Sequence, residues 1–221
     1  MNIIRTENLN KIYEGTNPVH AVNNVNLEIE EGEFVAIVGA SGGGKSTLLH
    51  MLGGLDIPTS GKVLINGKDI YKMSDEERSI FRRRSIGFIF QFFNLLPILT
   101  AKENIELAAS LDGAEVDSKM VEELVKVLGL KERLNHFPNQ LSGGEQQRVS
   151  IGRALAYKPE IILADEPTGN LDKKNSEIII DLLKLFAKKY GITVVMITHD
   201  LNIASAADRI IKIEDGKIVS D

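Results

Sequence analysis

Apolar residues fall either in short unbroken runs or in helical stripes, and the two patterns succeed one another along the chain. The run 34–38 (Phe-Val-Ala-Ile-Val) reads as a buried strand. Upstream, Val25-Asn26-Leu27-Glu28-Ile29 alternates with period two, as a half-buried strand does, and Glu31-Gly32 marks a turn. Leu48-Leu49-His50-Met51-Leu52 opens a helix, and Val63-Leu64-Ile65 before Asn66-Gly67 predicts a hairpin. Residues 86–90 form another buried strand, ending at Gln91.

The period then changes. Thr100-Ala101-Lys102-Glu103 has capping-box spacing and predicts a helix through about residue 110. Met120, Val121, Leu124, Val125 and Leu128 share one face of a helix expected over 116–128, which Gly129 can end. Residues 95–157 thus read as a helical lobe inserted into an α/β core built from 1–94 and 158–221. Strand character returns at 161–164, ending in Asp165-Glu166. A helix follows over 173–189, with Ile179, Leu182, Leu183 and Phe186 on one face and Gly191 as its stop. Residues 192–198 form an apolar strand ending at His199-Asp200, and Asp215-Gly216 closes a last hairpin.

Composition narrows the class. The 221 residues are 43% apolar and 26% charged, enough for one sizeable soluble core. There is no cysteine, which rules out disulfides and thiolate metal sites. The first residues show no charged-then-apolar signal segment, and no run approaches the roughly 18–20 apolar residues that cross a bilayer. A membrane role is therefore expected to run through a partner. A net charge of −5 argues against nucleic-acid binding. Arg82-Arg83-Arg84, with Arg78 nearby, reads as a solvated stretch leading into the next strand. The sharper alternative is a contact with lipid headgroups or an acidic partner face.

Candidate chemistry centres on Gly39-Ala40-Ser41-Gly42-Gly43-Gly44-Lys45-Ser46-Thr47, set between a strand and a helix. In that setting G-x-x-x-x-G-K-[ST] is a nucleoside triphosphate site. The glycines let backbone N–H groups converge on phosphate, and the helix start adds a favourable dipole. Lys45 can neutralise the β- and γ-phosphates, and the Ser46 hydroxyl can complete a Mg²⁺ shell. A second phosphate contact is expected at Leu141-Ser142-Gly143-Gly144-Glu145-Gln146. There Ser142 and Glu145 have capping-box spacing, and two glycines leave the helix tip open to an anion.

Together, the glycine loop and Leu-Ser-Gly-Gly-Glu-Gln-Gln-Arg resemble ATP-binding cassette (ABC) ATPases, and the likeness runs over essentially the whole chain. It implies an α/β P-loop NTPase cassette with a mixed-sheet core, an antiparallel β subdomain and an inserted helical subdomain. By resemblance, Tyr13 stacks on adenine, Gln91 is the Q-loop glutamine and a Mg²⁺ ligand, and Asp165-Glu166 ends the Walker B strand. Asn170-Leu171-Asp172 is then the D-loop and His199 the switch histidine. Asp165 at a strand end can hold Mg²⁺ through water, Glu166 can polarise the attacking water, and His199 can reach the γ-phosphate. His20, His50 and His136 read as structural, since no ligand cluster surrounds them. One position departs from the family: the residue before Gly44 is commonly Ser and is Gly43 here. The extra glycine raises the cost of ordering the loop by about 0.5–1 kcal/mol.

The resemblance further implies an ATP-dependent head-to-tail homodimer and an integral-membrane permease partner, with the chain peripheral on the inner face of the cell membrane. The stretches around Gln91 and Asp165 resemble the branch of MacB-type macrolide exporters, LolD-type lipoprotein-release ATPases, antimicrobial-peptide detoxification pumps and FtsE. The apolar run that includes Phe92, Phe93, Leu95 and Leu96 is expected both to pack between the lobes and to offer a groove for a permease helix. DNA-acting or ribosome-acting ABC ATPases fit less well, because the long coiled coils, zinc cysteines or second cassette of those groups are missing. A division-linked signalling ATPase stays open, since its ATP site would be the same.

Overall fold

The computed structural model describes residues 1–112 and 117–221. Its centre is a six-stranded sheet in the order β10-β9-β3-β8-β7-β6. The members are β3 (Phe34–Val38), β6 (Ile86–Phe90), β7 (Ile161–Asp165), β8 (Thr193–Ile197), β9 (Arg209–Glu214) and β10 (Lys217–Ser220). All neighbours run parallel except the β9–β10 hairpin. A four-stranded antiparallel sheet, β2-β1-β4-β5, comprises β1 (Asn2–Tyr13), β2 (Val19–Glu30), β4 (Ser60–Ile65) and β5 (Lys68–Asp69).

The unbroken apolar runs are explained by burial on both faces of the central sheet. Phe34, Ala36 and Val38 of β3 point to one side, with Val194 and Met196 of β8 and Ile162 and Ala164 of β7. The same side is covered by α3 (Ala101–Asp112), α4 (Ser118–Val127), α5 (Gly143–Leu155) and α6 (Lys173–Tyr190). Val35 and Ile37, with Val195, Ile197, Ile161 and Leu163, face the other side. There they meet α1 (Lys45–Leu52) and the inner face of the antiparallel sheet. Helices α3–α5 thus share one apolar cluster with a face of the central sheet.

Both hairpins form where expected, with Asn66-Gly67 and Asp215-Gly216 at positive φ. Gly129 and Gly191 take φ 65° just beyond α4 and α6. Glu31-Gly32 turns the chain as expected, from β2 into β3 of the other sheet. Two expectations change. The helix expected from Val116 starts at Ser118 under an Asp117 cap, and Val116 lies outside the described residues. The arginine cluster leads into the next strand as expected but is only partly solvated: it lies on α2 (Asp75–Ser85), which a Ser74–Glu77 capping box opens, with Arg84 exposed and Arg82 and Arg83 half-buried. Arg78 is buried there beside Asp75, and Arg82 donates to Gly54 O at 3.0 Å.

Candidate nucleotide site

Parallel strands put their C-terminal ends on one edge of the sheet, where open α/β folds bind ligands. The register aligns those ends closely. Phe90 pairs with Asp165, Asp165 with Ile197, and Ile37 with Ile197. The residues that follow each strand (39–47, Gln91, Glu166 and Thr198-His199) therefore emerge side by side.

The 39–47 loop needs glycine for reasons of space. A Cβ on Gly44 (φ 92°) would sit 1.9 Å from Ala21 O, and one on Gly39 (φ 153°) 2.1 Å from Ile213 O. With backbone packed on one side, the loop curls around Lys45, whose Nζ donates to Gly39 O at 2.9 Å and Ala40 O at 2.8 Å. Lys45 is 7% exposed, and among the described residues no carboxylate lies within ion-pair distance of it. A nearly buried cation held only by carbonyls is set to receive an anion. Ser41, Gly42, Gly44, Lys45, Ser46 and Thr47 line a cavity of about 840 Å³, together with Tyr13, Gln91, Asp165, Glu166 and His199.

Across the cavity, Ser46 Oγ donates to Asp165 Oδ1 at 3.1 Å. Burial raises the Asp165 carboxyl above its ordinary range, a rise that the Ser46 bond and nearby His50 reduce. Glu166 has φ 48°, the left-handed region that non-glycine residues seldom occupy. Its N–H donates to Ile197 O at 3.1 Å and its carbonyl accepts from Gly169 N at 3.0 Å, which fixes the bend. Strain of this kind concentrates at functional positions. The bend presents the carboxylate to His199, whose Nδ1 lies 2.9 Å from Oε2 and 3.0 Å from Oε1.

Gln91 faces the same space and is tied to the segment beyond Asp165. Its Nε2 donates to Asn170 Oδ1 at 3.3 Å, and Asn170 Nδ2 donates to Gln91 O at 2.9 Å. Two residues on, Asp172 caps α6, accepting from Asn175 N at 2.8 Å. Tyr13, at the end of β1, is 44% exposed at the cavity rim.

Ser142 and Glu145 form the capping box of α5. Ser142 N donates to Glu145 Oε2 at 2.8 Å, and Arg133 Nε holds Oε1 at 2.7 Å. The Ser142 backbone bond chiefly, then Arg133, outweighs the effect of burial and holds the Glu145 carboxyl down at about 2. Gly144 is required by packing, since a Cβ there would lie 2.3 Å from Asn175 Oδ1. Ser142 is exposed, and none of Ser142, Gly143, Gly144 and Glu145 lines the 840 Å³ cavity of its own chain.

Known proteins resemble this chain over nearly its whole length. The ABC transporter family model matches residues 22–169. The chain belongs to the ABC transporter family. It is 51% identical over 220 residues to the ABC transporter ATP-binding protein MJ1508 of Methanocaldococcus jannaschii, covering 98% of each. It is 48% identical over 224 residues to the macrolide export ATP-binding/permease protein MacB of Mannheimia succiniciproducens, covering all of this chain and 35% of that protein. The cassette MJ0796 has been solved as a dimer, with TM-score 0.90 and 48% identity over 98% of this chain and 97% of that one. It has also been solved in a post-hydrolysis dimeric state bound to ADP and Pi, with TM-score 0.90 and 47% identity over the same shares. The expected fold class and the likeness to the MacB branch therefore hold, and the chain is an ATP-binding and ATP-hydrolysing cassette.

The expectation for the run after Gln91 divides. Phe92 is 73% exposed and lines the nucleotide cavity rather than a separate groove. Phe93 lies against Gly143, Leu95 packs on the core, and Leu96 bonds through its backbone to the buried Asn104. The adjoining groove, about 530 Å³, is lined by other residues, among them Leu55, Arg82, Phe88, Leu107, Leu111 and Arg153. His50, read from the sequence as structural, instead lines the nucleotide cavity with Nε2 3.7 Å from Asp165 Oδ2. Its position on α1, five residues after Lys45, is the one signal that could have found it.

Proposed function

We propose that the chain works as a head-to-tail pair in which ATP held by residues 39–47 of one copy is covered by Ser142, Gly143 and Gly144 of the partner subunit. The observation that carries this reading is the α5 tip, a capped helix start whose Ser142 is exposed and Gly143 half-exposed, with Gly144 packed behind them on Asn175, and which lies outside its own chain's cavity. Such a tip offers N–H groups and a positive dipole end to an anion. A second copy of this cassette makes a symmetric pair the simple assembly. The dimeric MJ0796 structure supports it by likeness.

Within each site, Lys45 neutralises phosphate charge and Tyr13 stacks on adenine. Ser46 and Asp165, with Gln91, would hold Mg²⁺, Asp165 through water, and the ion when bound neutralises charge on the transferring phosphoryl group. Among the described residues no group of three or more His, Asp or Glu could hold a metal unaided, so its remaining ligands would be phosphate and water. Glu166 orients the attacking water and accepts its proton, while His199 steadies that carboxylate and faces the γ-phosphate. Asp172, at the head of α6, holds the Asn175 side chain that abuts the α5 tip. ATP supplies contacts that only the closed pair can make, and hydrolysis withdraws them.

The work is delivered to a separate membrane permease of the MacB or LolD type, whose helix seats in the 530 Å³ groove. That groove is lined by apolar residues such as Phe88 and Leu107 together with Arg82, Arg153 and Asn94, which follows Gln91 by three residues. Arg153 also holds Phe93 O at 2.9 Å, linking the groove to that segment. The lobe 95–157 is then the part that carries the α5 tip toward and away from the partner copy. Among the described residues no helix is long and apolar enough to cross a membrane, so contact with the inner face of the cell membrane runs through the permease.

The test uses the absence of natural cysteine. In a Glu166→Gln chain carrying Ser41→Cys and Ser142→Cys, ATP is expected to bring about a disulfide between copies. Crosslinking that is equally efficient without nucleotide, or absent with it, would reject the arrangement.

A further inference from the structure

Tyr13 does not hang free at the cavity rim. Its Oη donates to Asp56 Oδ2 at 2.7 Å. Lys11, two residues earlier on β1, reaches the other carboxylate oxygen at 2.5 Å and sets its Nζ over the tyrosine ring, 5.0 Å from the centroid. The same ammonium donates to Ile57 O at 2.7 Å. One carboxylate thus fixes the hydroxyl end of the ring, and one cation occupies a ring face, leaving the opposite face for a ligand.

The post that holds the ring is itself anchored. The half-buried Tyr71 shares its one hydroxyl proton between Asp56 O at 2.5 Å and Met51 O at 2.7 Å, fastening the segment after α1 to the end of that helix. Leu55 N and Asp56 N both donate to His50 O, at 2.8 and 3.4 Å. Thr59 closes the other side, with Ile12 N donating to its Oγ1 and Thr59 N donating to Asn10 O, both at 2.9 Å. Asp56 therefore stands on the chain that leads directly out of the phosphate-binding helix, and it grips the strand end that carries Tyr13. Burial would raise the Asp56 carboxyl, but the bonds from Lys11 and Tyr13 outweigh it and keep the group ionised.

We propose that Asp56 and Lys11 are positioning residues that hold the Tyr13 ring in advance beside the phosphate cradle, so that the site selects a triphosphate bearing an aromatic base. The proposal rests on the stacking role given to Tyr13 above. An aromatic that is already immobilised loses little freedom when a base stacks on it, and this raises affinity for the base-bearing ligand alone.

The test is calorimetric binding of ATP and of inorganic tripolyphosphate, which has no base, to the full chain and to Tyr13→Ala, Tyr13→Phe and Asp56→Ala. The expected result is weaker ATP binding in all three variants, about three- to tenfold for Tyr13→Phe and Asp56→Ala and more for Tyr13→Ala, with tripolyphosphate affinity unchanged. Tyr13→Phe keeps the ring and removes only the hydroxyl, so it reports on the anchor even if Asp56→Ala folds poorly. If Tyr13→Ala is weakened while Tyr13→Phe and Asp56→Ala bind ATP like the parent, stacking survives and the positioning role is overturned. If Tyr13→Ala binds ATP like the parent, the stacking role falls and this proposal with it. Equal loss of both ligands in Asp56→Ala, with Tyr13→Phe unaffected, would make Asp56 a general structural residue and also overturn the role.

Discussion

His199 Nδ1 stands 2.9 Å from Glu166 Oε2 and 3.0 Å from Oε1, bridging the ends of β8 and β7. The backbone of Glu166 is bent into the left-handed region to make this contact possible. A carboxylate held so firmly at the cavity wall can orient a water without first having to be ordered. Replacing Glu166 by Gln keeps the size and one acceptor oxygen but removes the charge. Turnover is expected to fall about 10²- to 10⁴-fold, the usual range for a lost general base, while ATP affinity stays near that of the parent. Steady-state hydrolysis alongside equilibrium ATP binding checks both halves.

Asp165 pulls function and stability in opposite directions. Burial raises its carboxyl above the ordinary 3.8, so folding favours the protonated form. Stability from this group is present at low pH and lost as pH rises through the raised value, which leaves the ionised group unfavourable at neutral pH. Asp165→Asn should therefore raise the melting temperature of the nucleotide-free chain at pH 7 and abolish Mg²⁺-dependent hydrolysis. A lower melting temperature would contradict this electrostatic reading.

The α5 cap has the opposite sign. Glu145 is held at about 2 instead of its ordinary 4.5, mainly by Ser142 N–H and then by Arg133. Its contribution is complete above about pH 4.5 and disappears as pH falls toward 2. Glu145→Gln should cost about 1 kcal/mol at pH 7, a typical helix-cap loss, and progressively less below pH 4.5. Denaturant midpoints of both chains between pH 7 and pH 3 measure it; a constant difference would exclude the charge as the cause.

Gly43 is less closed to a side chain than Gly39 and Gly44. A Cβ there would press on Ala40 O at 3.1 Å, which must give by a few tenths of an ångström, and would lie 3.7 Å from Ile213 O, at a backbone angle open to any residue. Gly43→Ser removes about 0.5–1 kcal/mol of loop-ordering entropy, so ATP should bind roughly two- to fivefold more tightly. Calorimetric titration decides; equal or weaker affinity would reject the effect.

Much of this site was legible in the sequence because its signals are local. The run 34–38 before a glycine loop, the Asn66-Gly67 and Asp215-Gly216 turns, and the Ser142 to Glu145 and Thr100 to Glu103 spacings each specify structure within a few residues. What escaped was set by distant contacts or by a weak pattern. β1 is held by pairing with β2 and β4, and the two long-range partners, not its own sequence, give it a twelve-residue span. Helix α2 is so polar that it has no apolar face to read, although Ser74 and Glu77 carried the same capping signal found elsewhere. Arg78 looked solvated because its burial depends on Asp75 and on the turn at Gly54. The Phe92–Leu96 side chains diverge because Phe93 and Asn94 both take positive φ, a reversal that apolar content does not reveal.

The trans-shared ATP site is tested most directly by light scattering of the Glu166→Gln chain with and without ATP, using Lys45→Ala in the same background as control. The expected result is a doubling of mass with ATP, reversed on nucleotide removal and absent in the control. A Glu166→Gln chain that binds ATP yet stays a single copy at every concentration would contradict a triphosphate clasped between two chains.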